Sequence, residues 1–99
     1  MSMIQTGKVE LSSQHPVETQ GGNTSTFTRV DFPSAFPAGS DVIVQVTVQT
    51  FNGADTPGIR LHDVSETGFL IRINELFGAG VKGNGQHGPE TIGWTAYTV

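Results

Sequence analysis

The residue types best suited to chemistry are three histidines, at 15, 62 and 87, and the glutamates at 75 and 90. His87 and Glu90 stand three positions apart at the entrance of the last apolar segment. Glu75 precedes a glycine-rich stretch, 78–89, whose two ends a hairpin would bring together. Imidazole and carboxylate in that combination are ligand types for zinc or calcium. The same spacing also makes a local hydrogen bond that caps a loop. A triad drawn from His87, Glu90 and a serine would lack the Gly-x-Ser-x-Gly elbow that presents a nucleophile. The sequence is therefore read as non-enzymatic, with no resident metal and no cofactor.

Gly78, Gly80 and Gly83 spell G-x-G-x-x-G, a phosphate-binding pattern only where a helix N-terminus follows the glycines. Here Asn84-Gly85-Gln86-His87-Gly88-Pro89 follows, which cannot start a helix, so a glycine-rich hairpin loop is expected. Asn23-Thr24-Ser25 matches the N-glycosylation pattern, which carries meaning only in an exported chain. Arg60 and Arg72 sit in mid-strand, on the faces opposite to Leu61 and Phe69. They are either a solvated outer face or a surface for another subunit or a ligand, since a guanidinium fork binds carboxylates and sugar hydroxyls in fixed geometry.

The elements that must position these groups are strands. Val42, Val44, Val46 and Val48 alternate with Gln45, Thr47 and Gln49; Phe69, Ile71 and Ile73 alternate with Leu70, Arg72 and Asn74; Ile92, Trp94 and Ala96 repeat the period of two. Strands are expected near 7–12, 25–32, 42–51, 58–64, 68–76 and 90–99, and no segment has helical period and caps. In the fourth, Ile59 and Leu61 fall on one parity and Val64 on the other, which predicts a bulge or early turn at Asp63. With 13 Gly and 5 Pro punctuating short apolar runs in 99 residues, the expectation is one all-β domain, a six-stranded antiparallel sandwich spanning 1–99.

Composition narrows the partners. Five basic against nine acidic residues, with no basic cluster, leave no electrostatic footprint for nucleic acid. Cysteine is absent, which removes disulfides and thiolate chemistry. No stretch approaches the roughly 20 apolar residues of a membrane span, so no membrane insertion is expected. The first ten residues do not read as a classical signal peptide, so compartment is left open between secreted, surface-exposed and virion-associated.

Four stretches, "TGKVEL", "VDFPSAFPAGSDVIVQVT", "IRLHDVSETGFLIRINE" and "HGPETIGWTAYTV", resemble the H-type lectin domain in order and spacing, over nearly the whole chain. The most specific elements are the Phe-Pro pair with its following strand, Val64 with Gly68-Phe69, and Gly93-Trp94-x-Ala96. The resemblance implies a six-stranded antiparallel sandwich that binds galactose or N-acetylgalactosamine-type glycans and assembles as a homotrimer, or a hexamer of two such trimers. By alignment to that family, the aspartate region falls on Gly21, Gly22 and Asn23, the arginine position on Thr56 beside Asp55, and the Trp-His pair on Leu76 and Phe77. None of these polar anchors is retained in kind, and the microbial branch, with Glu75 ending the fifth strand and His87-x-x-Glu90 before the last, is the better match. The implied sugar contacts are Asn23, Asp55, Thr56, Phe77 as apolar platform, and His87. The implied subunit interface uses Arg60, Arg72, Glu75 and Glu90. The alternative reading is an oligomerisation or receptor-binding module of a bacterial surface or phage-like assembly that binds no free sugar.

Overall fold

The computed structural model describes residues 4–16, 20–53, 56–75 and 86–99, with Glu75 described by its backbone. Six strands run in chain order: β1 (Ile4–Ser13), β2 (Thr28–Asp31), β3 (Val42–Val48), β4 (Pro57–His62), β5 (Gly68–Glu75) and β6 (His87–Thr98). They form two three-stranded sheets, β1-β6-β3 and β2-β5-β4, antiparallel throughout, and no helix occurs among the described residues. The protein is a six-stranded antiparallel β-sandwich.

The alternation seen in the sequence decides which face is inside. In the first sheet, Ile92, Trp94 and Ala96 of the central β6 point inward, flanked by Val9 and Gly7 of β1 and by Val48, Val46 and Val44 of β3. In the second, Phe69, Ile71 and Ile73 of the central β5 point inward beside Val30 of β2 and Leu61 and Ile59 of β4. Where the sheets meet, Phe32, Phe36, Phe69 and Trp94 pack with neighbouring ring centroids 5.2 to 5.8 Å apart, mostly tilted or edge-on. Each such pair adds about 0.5 to 1.5 kcal/mol beyond its burial. Gly7 is required by Trp94: a Cβ there would stand 2.5 Å from the indole ring, which lies across the strand.

Turns fix the register of the second sheet. β4 ends at His62, and Asp63 takes a left-handed backbone with φ 51°, so the parity change between Leu61 and Val64 is a turn. Aspartate is one of the few residues that tolerates this conformation. The Phe-Pro connection between β2 and β3 is stapled to the β4–β5 turn: Phe32 N–H donates to the Thr67 carbonyl at 2.9 Å and Phe36 N–H to that of Glu66 at 2.8 Å. That staple is what carries two phenylalanine rings into the core.

The expected strands all exist, with different ends. β2 is shorter than 25–32 because Phe27 N–H bonds the Thr24 carbonyl at 3.0 Å in a turn. β6 starts earlier because His87 pairs with Ser13, past an irregularity in β1 between Leu11 and Ser13. Ile4 of β1 is paired with Tyr97 of β6, so the two ends of the described chain lie side by side.

Candidate ligand-binding cleft

The second sheet has an outer face, and it is not bare. Arg72 lies on it in the middle of β5 yet is only 4% exposed. Its guanidinium donates to Thr26 Oγ1 at 2.7 Å, to the Pro16 carbonyl at 2.8 Å and to the His15 carbonyl at 3.2 Å. Ser13 Oγ stands at 3.5 Å. These acceptors belong to the end of β1 and to the connection toward β2, which therefore crosses the back of the sheet. A planar fork with donors on two edges is the side chain that can hold several carbonyls and a hydroxyl at once.

Where that connection turns back toward β2 it leaves a cleft of about 350 Å³ against β4. One wall is the turn 20–24, in which Asn23 N–H bonds the Gln20 carbonyl at 3.3 Å and Asn23 Oδ1 accepts from Ser25 N–H at 3.2 Å. Gly22, with φ 83°, permits that turn. The other wall is β4, with Arg60 and His62, and the half-buried Phe27 completes the lining. Arg60 is exposed, cross-strand from Arg72, and has no hydrogen bond or carboxylate partner among the described residues. His62 Nδ1 lies 3.0 Å from Asp63 Oδ1, both in contact with solvent. The cleft thus gathers a guanidinium, an imidazole, a side-chain amide and an aromatic ring within the size range of small-ligand pockets, roughly 300 to 1,000 Å³.

A second group of polar side chains closes one end of the sandwich. Glu90 is paired with Leu11, two residues before Ile92, and so points between the sheets; it is 1% exposed. Its carboxylate accepts from the Thr50 hydroxyl at 2.7 Å and from Asn52 N–H at 3.0 Å, while Asn52 Nδ2 donates to the Pro89 carbonyl at 2.8 Å. The Thr50 bond is the largest influence on the Glu90 carboxyl; burial opposes it, and the net effect is a pKa below the ordinary value. The His87 ring, also 1% exposed, lies 3.7 Å away and bonds the Gly88 carbonyl at 2.8 Å.

The structure gives a place to most of the residues singled out in the sequence. Arg72 and Glu90, expected at a subunit interface, are buried within the protomer, where each fastens a loop to the sandwich. His87, expected among the sugar contacts, is likewise inside, 3.7 Å from Glu90. Among the described residues no cluster of three His, Cys, Asp or Glu stands close enough to hold a metal. Thr56 is exposed just ahead of β4 and does not line the cleft. Asp55, Phe77, the side chain of Glu75 and the glycines at 78, 80 and 83 lie outside what is described. Asn23 does line the cleft, joined there by Arg60, expected at an interface, by His62, one of the three histidines noted in the sequence without an assigned site, and by Phe27, which the sequence did not single out.

The outer face of the first sheet is different in kind. Rows Thr6–Thr95–Gln45 and Lys8–Gly93–Thr47 flank a shallow open groove floored by Gly93. Ile4–Tyr97–Ile43 forms the next row, with both isoleucines exposed.

No family model matches the chain, and no solved structure matches it. Among curated proteins, the chain is 32% identical over 81 residues to halomucin of Haloquadratum walsbyi (strain DSM 16790 / HBSQ001), a match covering 82% of this chain and 1% of halomucin. No helix of the described residues is long and apolar enough to cross a membrane.

Proposed function

We propose that this domain is a non-catalytic carbohydrate-binding module that uses the cleft between the 20–24 turn and β4. The observation that carries the reading is the composition of the cleft: Phe27 beside Asn23, Arg60 and His62 supplies an apolar surface with fixed polar groups around it. A pyranose ring presents the complementary chemistry, a C–H face and a rim of hydroxyls. The H-type lectin resemblance motivates galactose and N-acetylgalactosamine as the first saccharides to test. The similarity to one stretch of a far longer protein fits a module used inside larger chains.

A glycan array followed by NMR titration tests this. Saccharide-induced shifts centred on residues 20–27 and 60–62, lost in Phe27→Ala, are the expected outcome. Absence of shifts for every saccharide up to millimolar concentration would remove the lectin reading and leave the fold standing.

Single sites of this size bind weakly, and assembly into a trimer would multiply avidity by about 100 to 10,000. The observation favouring assembly is the exposed row of Ile4 and Ile43 about Tyr97, an apolar strip on an otherwise polar face. It also supports the second reading, an oligomerisation or receptor-binding module. Light scattering at micromolar concentration decides: a monomer overturns both the trimer and that alternative.

A further inference from the structure

The proposed saccharide site has one group whose chemistry is more specific than hydroxyl recognition. Of the three arginines in the chain, two are occupied. Arg29 binds Asp31 at 2.9 Å and the Thr67 hydroxyl at 2.9 Å, and Arg72 is enclosed by Thr26 and the backbone of 15–16. Arg60 has no bound acceptor among the described residues, and it lines the cleft. Among the described residues no aspartate or glutamate lines that cleft with it, and the register sets Arg72 directly across the strand pair from Arg60. The nearest acidic group along β4, Asp63, is engaged by His62.

We infer that the cleft takes an acidic saccharide, a sugar bearing a carboxylate, with Arg60 as the group that selects it. This inference rests on the carbohydrate-binding reading and names the class of sugar. A guanidinium presents two parallel N–H donors matched to a carboxylate, and such charge-assisted bonds are roughly twice as strong as neutral ones. Toward a neutral hydroxyl the same fork gains much less. The net charge of -4 does not prevent this: beyond a Debye length of about 8 Å at physiological salt the distant carboxylates are screened, while the groups lining the cleft are not.

The test compares sugars that differ only at C6. Isotope-labelled full chain is titrated with D-galacturonate against D-galactose, and with D-glucuronate against D-glucose, following backbone amide shifts of residues 20–27 and 60–62. The expected result is that the acid of at least one pair binds about tenfold more tightly than its neutral partner. That preference, read as the ratio of the acid's affinity to the neutral sugar's, should shrink as salt is raised and vanish in Arg60→Gln. Arg60 is exposed on an edge strand, so the variant should keep the wild-type spectrum away from the cleft. Equal binding of acid and neutral sugar, or a preference that survives Arg60→Gln, overturns the inference and leaves the lectin reading intact; Arg60 is then a charge that guards an open strand edge. No binding by any member of either pair, or by the neutral sugars of the array, overturns both.

Discussion

Arg72→Ala should destabilise the protomer and loosen the connection over the back of the sheet. The two shortest bonds, to Thr26 Oγ1 at 2.7 Å and the Pro16 carbonyl at 2.8 Å, dominate; the third, to His15, is longer at 3.2 Å. Hydrogen bonds from a charged donor contribute about 1.5 to 3 kcal/mol each. His15 and Pro16 are exposed residues whose carbonyls can turn to water, so the full loss falls mainly on Thr26. Adding partial loss at the carbonyls and of the buried stem gives about 3 kcal/mol in all. For a domain near this size each kcal/mol moves Tm by about 4 to 8 °C, so a fall of roughly 12 to 24 °C is expected. Urea unfolding followed by Trp94 fluorescence measures the difference, with an unchanged slope marking a true change of stability. Amide exchange at Thr26 and Phe27 should quicken more than at Ile92. Arg72→Lys should recover only part, because one ammonium cannot reach the hydroxyl and the carbonyls together. A loss below about 1 kcal/mol in the alanine variant, with exchange at Thr26 unchanged, would show that the guanidinium does not pin this connection.

Substitutions at three other positions probe separate parts of the fold. Glu90 has a carboxyl pKa held below its ordinary value near 4.5, so its contribution is complete above that pH and lost as pH falls through the lowered folded value. Stability measured against pH should therefore drop in acid for the wild type and flatten in Glu90→Gln, whose plateau at neutral pH should lie lower. Gly7→Ala places a methyl against the Trp94 indole and should cost about 1 to 3 kcal/mol while altering the near-UV circular dichroism of that ring. Asp63→Val puts a β-branched residue at φ 51° and should lose about 1 to 2 kcal/mol in urea unfolding, whereas Asp63→Gly should stay within about 1 kcal/mol of wild type.

Sequence and structure agree wherever one face of a strand meets the core. Val42 to Val48, Phe69 to Ile73 and Ile92 to Ala96 could be assigned because burial on one side writes a period of two into the chain. Parity also placed Arg72 away from the core, correctly, but it cannot say what lies over an outer face. The residues that cover it, His15, Pro16 and Thr26, lie outside the strands and carry no period. The same gap hid the cleft: Arg60 and His62 were legible as outward residues of β4, whereas the 20–24 turn that faces them is distant in sequence and has no strand period. Glu90 had a signal that went unused. Extending the alternation of Ile92, Trp94 and Ala96 back by two residues puts it on the core face, and a carboxylate there must find donors, which Thr50 and Asn52 provide.

The pairing of Ile4 with Tyr97 has a mechanical consequence. β1 and β6 run antiparallel and their outer ends lie at the same corner of the first sheet. Tension applied to the chain at these two residues would pull across the ladder, loading the hydrogen bonds one rung at a time from Ile4 toward Ser13. Such a geometry peels where a ladder loaded along its length would shear all its rungs together. Within a longer polypeptide under load the domain would act as a yielding element, opening at low force through β1 and re-zipping when the load falls, and the 20–24 turn that walls the cleft follows β1 in the chain and would be loaded next.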